Sequence, residues 1–510
     1  MKIIGIIAEY NPFHNGHKYQ IAELKKQTNA DYVVIAMSGN FVQRGVPALC
    51  DKYSRAKMAL MCGADLVFEL PAIWATASAE LFAKGGVTLF YQTGVVNHLG
   101  FGAETDNLDL LKQIAWILSM EPVAYKNALS VYLKKGKNFP TARKLALSEL
   151  FSDNFNVTNA TNYVLHHNAP AIQAETHHLS AVYSSELDEL LNSPNNILAI
   201  EYLKAIYAQN KRNTTSFSLA NENDTISSHT LQQLTPVLIQ RKGSGYHEKN
   251  MNALHPSATA IRNLLFSSET SCYNLPNDIS KKNYDNHNSI LQKNNNLILF
   301  QNSNEENHNI LSPTFSLKER LETSAMPKEA LAILSKLLED HALLNENDIS
   351  SILGYRLLSL KKEGYASFAD CSMDLSNKIV KNLRNYTNFT DFCKLLKSKE
   401  LTHTRISRTL LHILLNIKQC DYVHATEIGT IPYLRILGFR KDSTPLLSAI
   451  KKEATVPLIT KVADAASILS SDAYTIFEKD LFASNVYYQL LSQKTGKKPI
   501  NEFTHPIVIV

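Results

Sequence analysis

Short apolar runs recur along residues 1–110 and alternate with polar segments that have helical periodicity. Four of these runs are rich in aliphatic residues and end in polar, glycine- or proline-containing turns; they cover residues 3–8, 32–37, 64–71 and 98–104. Runs of this length and composition indicate strands that are covered on both faces, as in a parallel sheet. The alternation of strand and helix therefore predicts a doubly wound α/β domain.

Beyond residue 107 the pattern is mainly helical, with a fifth strand predicted at residues 236–240. Asparagine- and serine-rich sequence lacks the apolar residues of a core and interrupts the pattern at 209–233 and 267–310. Because 510 residues exceed what one core usually supports, we predict three regions, namely an α/β domain (1–266), a flexible insertion or linker (267–312) and a mainly helical domain (313–510). In the last region we predict helices over 330–344, 348–362, 376–383, 389–398 and 404–417.

The composition is that of an ordinary globular protein, with 45% hydrophobic and 19% charged residues. The 52 basic and 47 acidic residues give a net charge of +5, which allows an RNA partner through a local patch without requiring one. No apolar run approaches the ~18 residues of a membrane span, and the first strand follows Met1 and Lys2 directly, so we expect a cytoplasmic protein without a membrane partner. The six cysteines form no Cys-x-x-Cys pair, which argues against a zinc site or a disulfide framework.

The segment His14-Asn15-Gly16-His17 falls at the turn between the first predicted strand and the following helix. In open α/β sheets, ligands bind at this edge, where the free N–H groups of a helix N-terminus attract phosphate. Two imidazoles three residues apart would face the same pocket, and Gly16 would let a nucleotide approach the backbone. The pattern therefore predicts a nucleotide site; the alternative is two surface histidines beside a capping asparagine.

Further candidates follow other strands on the same edge. Arg44 lies in the loop after the second strand and could contact a triphosphate or RNA, or be a solvated loop charge. Gly102 ends the fourth strand and could leave room for adenine or ribose, or form an ordinary turn. Asn195 and Asn196 follow Pro194 at a predicted helix start that could face a ligand, although capping of their own helix explains them as well.

A second phosphate cradle is predicted after the fifth strand. Arg241 and Lys242 directly follow that strand and would carry positive charge to the same edge. Ser257 or Thr259 would then begin a helix with Arg262 in its first turns, so that a hydroxyl, backbone N–H groups and a guanidinium converge. An early His-x-Gly-His combined with a late Ser-x-Thr-x-x-Arg is more specific than either motif alone.

Cations elsewhere have two interpretations. The helix predicted at residues 51–61 carries Lys52, Arg55 and Lys57, which we interpret as a solvated face rather than a phosphate-binding surface. Arg405, Arg408 and Arg435 could neutralise RNA phosphates, or could be cations that extend to the surface from apolar helices.

Several ordered blocks over most of the chain resemble the bacterial tRNA(Met) cytidine acetate ligase family, within the HxGH nucleotidyltransferase superfamily. They cover residues 9–17, 37–45, 63–71, 194–198, 241–247, 257–262 and 435–439. The resemblance implies a Rossmann-like nucleotidyltransferase domain with a parallel sheet, followed by a mainly α-helical domain that binds tRNA. The chain departs from the family in two polar insertions, one before Arg241 and a larger one after Phe266, which lengthen loops and leave the motifs intact.

The resemblance also implies the chemistry. Acetate, not acetyl-CoA, would be activated by ATP as acetyl-adenylate, and the acetyl group would pass to N4 of the wobble cytidine of elongator tRNA-Met. Mg²⁺ would accompany ATP without a protein metal site, and His14 and His17 would be the catalytic pair, with Arg241 and Arg262 completing the phosphate clamp. The implied ATP-binding residues are Ile7, Ala8, Glu9, Tyr10, Asn11, Pro12, Phe13, His14, Asn15, Gly16, His17, Lys18, Tyr19, Gln20, Gly102, Asn195 or Asn196, and Arg241.

Two other functions fit the same nucleotide site. An adenylyltransferase acting on a small cofactor precursor would use the same histidines, although the long helical region is unnecessary for a small substrate. A nucleotide-sensing RNA-binding protein would bind ATP without releasing pyrophosphate when acetate is added. The oligomeric state is left open by the sequence.

Overall fold

A computed structural model of the chain describes residues 1–137, 139–152, 183–219, 233–241, 257–272 and 325–510. Its strands, in chain order, are β1 (Ile3–Ala8), β2 (Tyr32–Ser38), β3 (Phe41–Val42), β4 (Val46–Pro47), β5 (Leu66–Leu70), β6 (His98–Ala103), β7 (Thr235–Gln240), β8 (Leu434–Phe439), β9 (Leu458–Ile459) and β10 (Val508–Ile509). The main sheet has the order β10-β8-β5-β2-β1-β6-β7, with β9 paired to β8, and β3 and β4 form a separate hairpin.

The helices of the described residues, in chain order, are α1 (Asn15–Thr28), α2 (Lys52–Met61), α3 (Ala72–Ala75), α4 (Ala79–Gln92), α5 (Leu108–Met120), α6 (Val123–Lys134), α7 (Phe139–Ser152), α8 (Tyr183–Asn192), α9 (Pro194–Leu219), α10 (Ala258–Cys272), α11 (Lys328–Glu339), α12 (Ser350–Ser359), α13 (Met373–Asn382), α14 (Phe389–Leu396), α15 (His403–Leu415), α16 (Gln419–Glu427), α17 (Thr444–Glu453), α18 (Ala465–Ile468) and α19 (Ser471–Thr495). Short 3-10 turns lie at Glu346–Ile349, Leu383–Asn385, Lys441–Ser443 and Val462–Asp464.

The centre of the sheet is parallel, and the predicted α/β class is confirmed. Strands β1, β2, β5, β6 and β7 are the five predicted strands, with ends that differ from the prediction by at most two residues. They pair in parallel register, and β1 is buried along most of its length. Helices cover both faces: Phe90 of α4 packs over Gly5, while Leu24 of α1 packs over Ile4 and Gly100. Successive strand residues point to opposite faces, so α4 and α1 lie on opposite sides of β1.

The C-terminal region is mainly helical as predicted, but it also extends the sheet. Strand β8 pairs antiparallel with β5, with Leu66 opposite Phe439, and β9 and β10 pair in parallel with β8. The sequence did not predict this strand, because Arg435, its second residue, has the character of a surface residue. Each helix predicted in this region is present, with ends shifted by a few residues.

The first residues of the predicted insertion are helical. Helix α10 runs through Cys272, six residues into the segment that we predicted to be a linker from residue 267. Residues 273–324, which hold the rest of that prediction, lie outside the described residues. The division of the chain into an N-terminal catalytic domain and a C-terminal tRNA-binding domain stays a prediction.

Candidate active site

His14 and His17 lie at the turn between β1 and α1, with their rings stacked at a centroid distance of 3.7 Å. His14 is the N-cap residue of α1, and its Nδ1 accepts a hydrogen bond from the backbone N–H of Gly16 at 3.1 Å. The backbone N–H of His14 in turn donates to Nδ1 of His17 at 3.2 Å. The two imidazoles thus take the places that Ser or Thr and Glu or Gln usually occupy in a capping box. The same motif therefore starts the helix and fixes both rings.

The hydrogen bonds also determine which ring nitrogen carries a proton. Because Nδ1 of each ring accepts a backbone N–H, each neutral imidazole has its proton on Nε2. Burial, reinforced by the neighbouring His14 imidazole and by the positive charge of Arg241, holds the pKa of His17 well below its ordinary value of 6.5. His17 is therefore neutral at physiological pH and has an Nε2–H group with which to bind an anion.

Arg241 reaches this edge from the end of β7. Its Nη1 donates to Oδ1 of Asn195 at 3.3 Å, and its side chain passes over Gly102, where an atom at the Cβ position would lie 3.3 Å from Cγ of Arg241. Strands β1, β6 and β7 are adjacent and parallel, so Arg241, Gly102 and the histidine pair share the carboxyl edge of the sheet. The effect of the Arg241 charge on the pKa of His17 has its origin in this arrangement.

Glu104, which the sequence analysis missed, fills the N-terminus of α9. Its Oε1 accepts a hydrogen bond from Nδ2 of Asn195 at 2.7 Å, and its Oε2 accepts one from the backbone N–H of Asn196 at 2.9 Å. A carboxylate of the chain therefore already accepts N–H groups at this helix N-terminus, and contact of Asn195 or Asn196 with a ligand stays a prediction. The sequence signal was an acidic residue at the end of the fourth predicted run.

The two asparagines of this block have different surroundings. Asn196 is 2% exposed, and its Oδ1 accepts the backbone N–H groups of Glu104 and Thr105 at 2.9 and 3.1 Å. Asn195 is half-buried and contacts Arg241. The carboxamide oxygen of Asn196 is thus committed to the loop after β6, whereas Asn195 lies beside the guanidinium that we predict to bind phosphate.

The start of α10 lies against the β1–α1 turn. Ser257 Oγ accepts the backbone N–H of Ala260 at 3.2 Å, as an N-cap does. Arg262 donates through Nη1 to the carbonyl of Asn11 at 2.5 Å and through Nη2 to Oγ1 of Thr259 at 3.1 Å. The structure therefore brings the late Ser-x-Thr-x-x-Arg segment beside the early His-x-Gly-His segment, although the two motifs are far apart in the chain.

Arg55 joins the carboxyl ends of β1 and β2 beneath the site. Its side chain is fully buried, and the guanidinium donates only to backbone carbonyls, those of Cys50 at 3.0 Å, Glu9 at 2.7 Å, Ser38 at 3.0 Å and Gly39. The carbonyls of Glu9, Ser38 and Gly39 lie at or just past the carboxyl ends of β1 and β2. Arg55 therefore stabilises the edge on which the histidines stand.

The chain as a whole matches known proteins. The sequence model of the HIGH Nucleotidyl Transferase family matches residues 1–233 and 219–502. The tRNA(Met) cytidine acetate ligase of Thermoanaerobacter sp. (strain X514) is 34% identical over 510 residues, covering all of both chains. That of Halothermothrix orenii is 32% identical and covers all of this chain and 99% of its own. This chain belongs to the tRNA(Met) cytidine acetate ligase family.

Two crystal structures of Thermotoga maritima TmcAL have the same fold. The apo form gives a TM-score of 0.74 and the form bound with alpha-thio ATP gives 0.72, each at 24% identity and over the full length of both chains. The likeness covers the C-terminal half as well as the sheet. The fold shared with these two structures therefore includes the extension of the sheet by β8.

In this family member, the segment predicted to surround ATP spans the end of β1, the turn and the first turns of α1. Phe13 and Tyr10 are buried, and their rings lie 4.8 Å apart. The backbone N–H of Asn15 donates to the carbonyl of Ala325 at 3.0 Å. Lys18 is exposed and pairs with a carboxylate at 3.3 Å. The turn is therefore held by contacts among its own residues and by contacts with the C-terminal region.

The hairpin of β3 and β4 carries Arg44 and packs against α15. Gly45 has φ of +77°, and an atom at its Cβ position would lie 2.4 Å from the backbone nitrogen of Arg408, so a side chain cannot fit there. Arg405 and Arg408 lie on one side of α15, as predicted, and both contact Asp370: Nε of Arg408 lies 2.7 Å from its carboxylate, and Nε of Arg405 donates to its carbonyl at 3.3 Å. Asp370 partly neutralises this pair of cations.

Arg435 requires a correction. It is 2% exposed in β8, its Nη1 lies 3.0 Å from Oε2 of Glu69, and its Nη2 forms an ion pair with Glu502. Nζ of Lys52 lies 2.9 Å from Glu69 and 3.1 Å from Glu502, so two cations and two carboxylates balance in the core. The predicted RNA contact of Arg435 is wrong, because this side chain does not reach the surface.

The same core corrects the interpretation of the helix at 51–61. Lys52 and Arg55 are completely buried, and only Lys57 is exposed, so the three cations do not form a solvated face. The charges of the two buried cations are compensated inside the protein. Carboxylates pair with Lys52, and backbone carbonyls accept hydrogen bonds from Arg55.

Asp480 borders this charged core. Its Oδ1 accepts the backbone N–H of Ala72 at 2.7 Å, and its Oδ2 accepts the hydroxyl of Tyr433 at 2.6 Å. Burial and the nearby negative charge of Glu69 raise the pKa of Asp480 to about 7. Burial acts in the same direction on Glu502, but the charges of Lys52 and Arg435 outweigh it and lower the pKa of that carboxyl.

The described residues contain neither a membrane-spanning helix nor a metal-binding cluster. None of their helices is long and apolar enough to cross a membrane. In the same parts of the chain, no three His, Cys, Asp or Glu side chains are grouped so that they could hold a metal ion. Lys242, a predicted phosphate or RNA contact, lies outside the described residues.

Proposed function

We propose that this protein is an ATP-dependent ligase that acetylates N4 of the wobble cytidine of elongator tRNA-Met. The proposal rests on relatives of that name at 32–34% identity over essentially the full length of the chain. One structural observation supports the ATP site: the stacked pair of His14 and His17 shares the carboxyl edge of three adjacent strands with Arg241. ATP and acetate are the co-substrates, and acetyl-CoA is not used.

In the first step a carboxylate oxygen of acetate attacks the α-phosphorus of ATP. The P–O bond to pyrophosphate breaks, and acetyl-adenylate and pyrophosphate form. Acetate is already an anion and requires no general base, so the protein's contribution is electrostatic. The Nε2–H groups of His14 and His17 would donate to oxygens of the α- and β-phosphates, and Arg241 would neutralise the charge that moves onto pyrophosphate. Arg262, fixed by the carbonyl of Asn11, would complete the clamp.

In the second step N4 of the cytidine attacks the acyl carbon of acetyl-adenylate. The C–O bond to AMP breaks as the C–N bond forms, and N4 loses a proton. The adenylate thus remains on the edge of the sheet while the base approaches it. The β3–β4 hairpin borders this approach, because its Gln43 N–H donates to Oε1 of Glu9 at 2.8 Å.

A magnesium ion would accompany ATP in this proposal. Because the described residues hold no group of three metal-binding side chains, the phosphate oxygens and water would supply its ligands. The ion would neutralise phosphate charge, and the histidines and Arg241 would orient the nucleotide.

The proposal is tested by measuring pyrophosphate release from ATP with and without acetate, followed by mass spectrometry of elongator tRNA-Met from the same mixture. We expect acetate-dependent release and the added mass of one acetyl group on one cytidine. His17→Asn should abolish both, whereas His424→Asn, a partly exposed histidine on α16, serves as the matched control and should retain both. Release without tRNA acetylation would favour a small-molecule adenylyltransferase, and ATP binding without release would favour a nucleotide-sensing RNA-binding protein.

A further inference from the structure

A surface groove lies in the C-terminal region, between α12 and α19. Its volume is about 610 Å³, within the ~300–1,000 Å³ of typical ligand sites. Its floor includes Leu414 and Asn416, at the C-terminal end of α15. The lining residues are Ile352, Tyr355, Arg356, Leu414, Asn416, Phe482, Asn485, Val486, Gln489, Leu490 and Gln493.

Two exposed aromatic rings face this groove from opposite helices. Tyr355 of α12 is 75% exposed and Phe482 of α19 is 46% exposed, although both are large apolar side chains. Exposed rings with open faces are the platforms on which single-stranded nucleic acids stack their bases. An isolated exposed aromatic residue would not indicate a base-binding site, but here the two rings border one cavity.

The polar residues of the groove are amides. Asn485, Gln489 and Gln493 lie four residues apart on α19, so they follow one face of the helix and line the cavity. Carboxamides both donate and accept hydrogen bonds, as the edges of a nucleobase require. The groove has no carboxylate among its lining residues, and its one charge is the cation Arg356, so it does not repel a phosphate backbone.

Helix α15 connects the groove with the candidate active site. It contacts Gly45 of the β3–β4 hairpin, because Oγ of Ser407 donates to the carbonyl of Gly45 at 3.1 Å. The same hairpin reaches the end of β1, where the backbone N–H of Gln43 donates to Oε1 of Glu9. Leu414, seven residues after Ser407 on α15, lies in the groove. At 1.5 Å per residue this separation is about 10 Å along the axis. The groove and the contact with the hairpin therefore lie close together on one helix.

We propose that this groove binds an unpaired nucleobase from the loop that carries the acetylated cytidine, stacked by Tyr355 and Phe482 and hydrogen-bonded by the amides of α19. This inference rests on the proposed function, since it assigns a second contact to the same RNA. It makes RNA recognition depend on aromatic and amide groups as well as on cations.

The test compares tRNA affinity between variants. Tyr355→Ala and Phe482→Ala should each weaken binding of an elongator tRNA-Met transcript on the order of tenfold, since one stacked base contributes roughly that factor. Tyr355→Phe and Phe482→Tyr keep a ring and should bind nearly as wild type. Phe139→Ala, which removes a ring that is 56% exposed on α7 and lies outside the groove, is the matched control.

Two further readouts separate stacking from other effects. Acetate-dependent pyrophosphate release in the absence of tRNA should be unchanged in all variants, because the groove does not contact ATP. The dependence of the logarithm of affinity on the logarithm of salt concentration should keep its slope, since no phosphate contact is removed.

The outcomes are distinct. Equal tRNA affinity of wild type, Tyr355→Ala and Phe482→Ala would overturn the inference and leave the proposed function intact. Loss of self-association in the alanine variants, measured by light scattering, would overturn it in favour of an interface between copies of the chain. Failure of the wild type to bind tRNA at all would overturn the proposed function and the inference together.

Discussion

Nδ1 of His17 accepts the backbone N–H of His14, the residue on which its own ring is stacked at 3.7 Å. This relationship makes the capping of α1 and the orientation of both rings one structural unit. It also separates the role of Nδ1 of His14, which supports the helix, from the role that we propose for its Nε2–H group as a donor to a phosphate oxygen.

Substitution of His14 should separate these roles. His14→Asn retains an oxygen that can cap α1 but has no group at the position of Nε2, so we expect on the order of 10²-fold loss in the rate of pyrophosphate release with little change in stability. His14→Ala should lose the same rate and also about 1 kcal/mol of stability. Steady-state kinetics and thermal unfolding of both variants provide the check. A full rate in His14→Asn would remove His14 from the phosphate clamp.

The two asparagines of α9 should respond differently. Asn196→Ala leaves the N–H groups of Glu104 and Thr105 without their acceptor and should cost about 1–3 kcal/mol in the free energy of unfolding. Asn195→Ala removes one hydrogen bond to Glu104 and should cost about 1 kcal/mol, and it should raise the KM for ATP because it loosens Arg241. Denaturant unfolding and ATP titrations on both variants test this. The reverse assignment would follow if Asn196→Ala raised the KM without lowering stability.

Loss of Arg435 should affect folding rather than RNA binding. Arg435→Gln leaves Glu69 and Glu502 with a single buried cation, and we expect a cost of about 3–5 kcal/mol. Arg440→Gln is the control, since Arg440 is 38% exposed and its pair with Asp442 contributes little. Unfolding curves give the stability, and tRNA titrations of the folded protein give the affinity. A stable Arg435→Gln protein with weakened tRNA binding would restore the interpretation made from sequence.

Asp480 should make stability fall as the pH rises through neutrality. Its pKa is raised to about 7 in the folded protein, against 3.8 ordinarily, so the folded state holds a proton that the unfolded state releases. The contribution is complete below the ordinary pKa and is lost as the pH rises through 7. We therefore expect the Tm of wild type to fall more between about pH 5 and about pH 7 than that of Asp480→Asn. Asp472→Asn, an exposed change on the same helix, should behave as wild type; equal slopes for wild type and Asp480→Asn would contradict this account.

The sequence predicted those parts of the fold that depend on local pattern. Strand β1 is an unbroken aliphatic run and the turn at His14 follows it directly, so both could be located without a structure. Arg241 and Arg262 were placed on the same edge because each follows or faces the end of a predicted strand. Their contacts with Asn195 and Asn11 fit that reasoning.

What the sequence did not predict are partnerships across long distances in the chain. Lys52 and Arg435 look like surface cations when each is considered alone, and only the fold brings Glu69 and Glu502 to them. Strand β8 was missed for the same reason, since a charged residue at its second position conflicts with the pattern of a buried strand. Glu104 was missed because one acidic residue after a strand gives no sign that it will cap a distant helix.

The most direct measurement follows an oxygen atom from acetate. The protein is incubated with ATP, elongator tRNA-Met and acetate labelled with heavy oxygen, and both AMP and the tRNA are analysed by mass spectrometry. Attack of acetate on the α-phosphorus, followed by cleavage of the acyl C–O bond, leaves one heavy oxygen atom in AMP for each acetyl group transferred to a cytidine. That result is expected. Unlabelled AMP, or labelled AMP without acetylated tRNA, would contradict the proposed reaction.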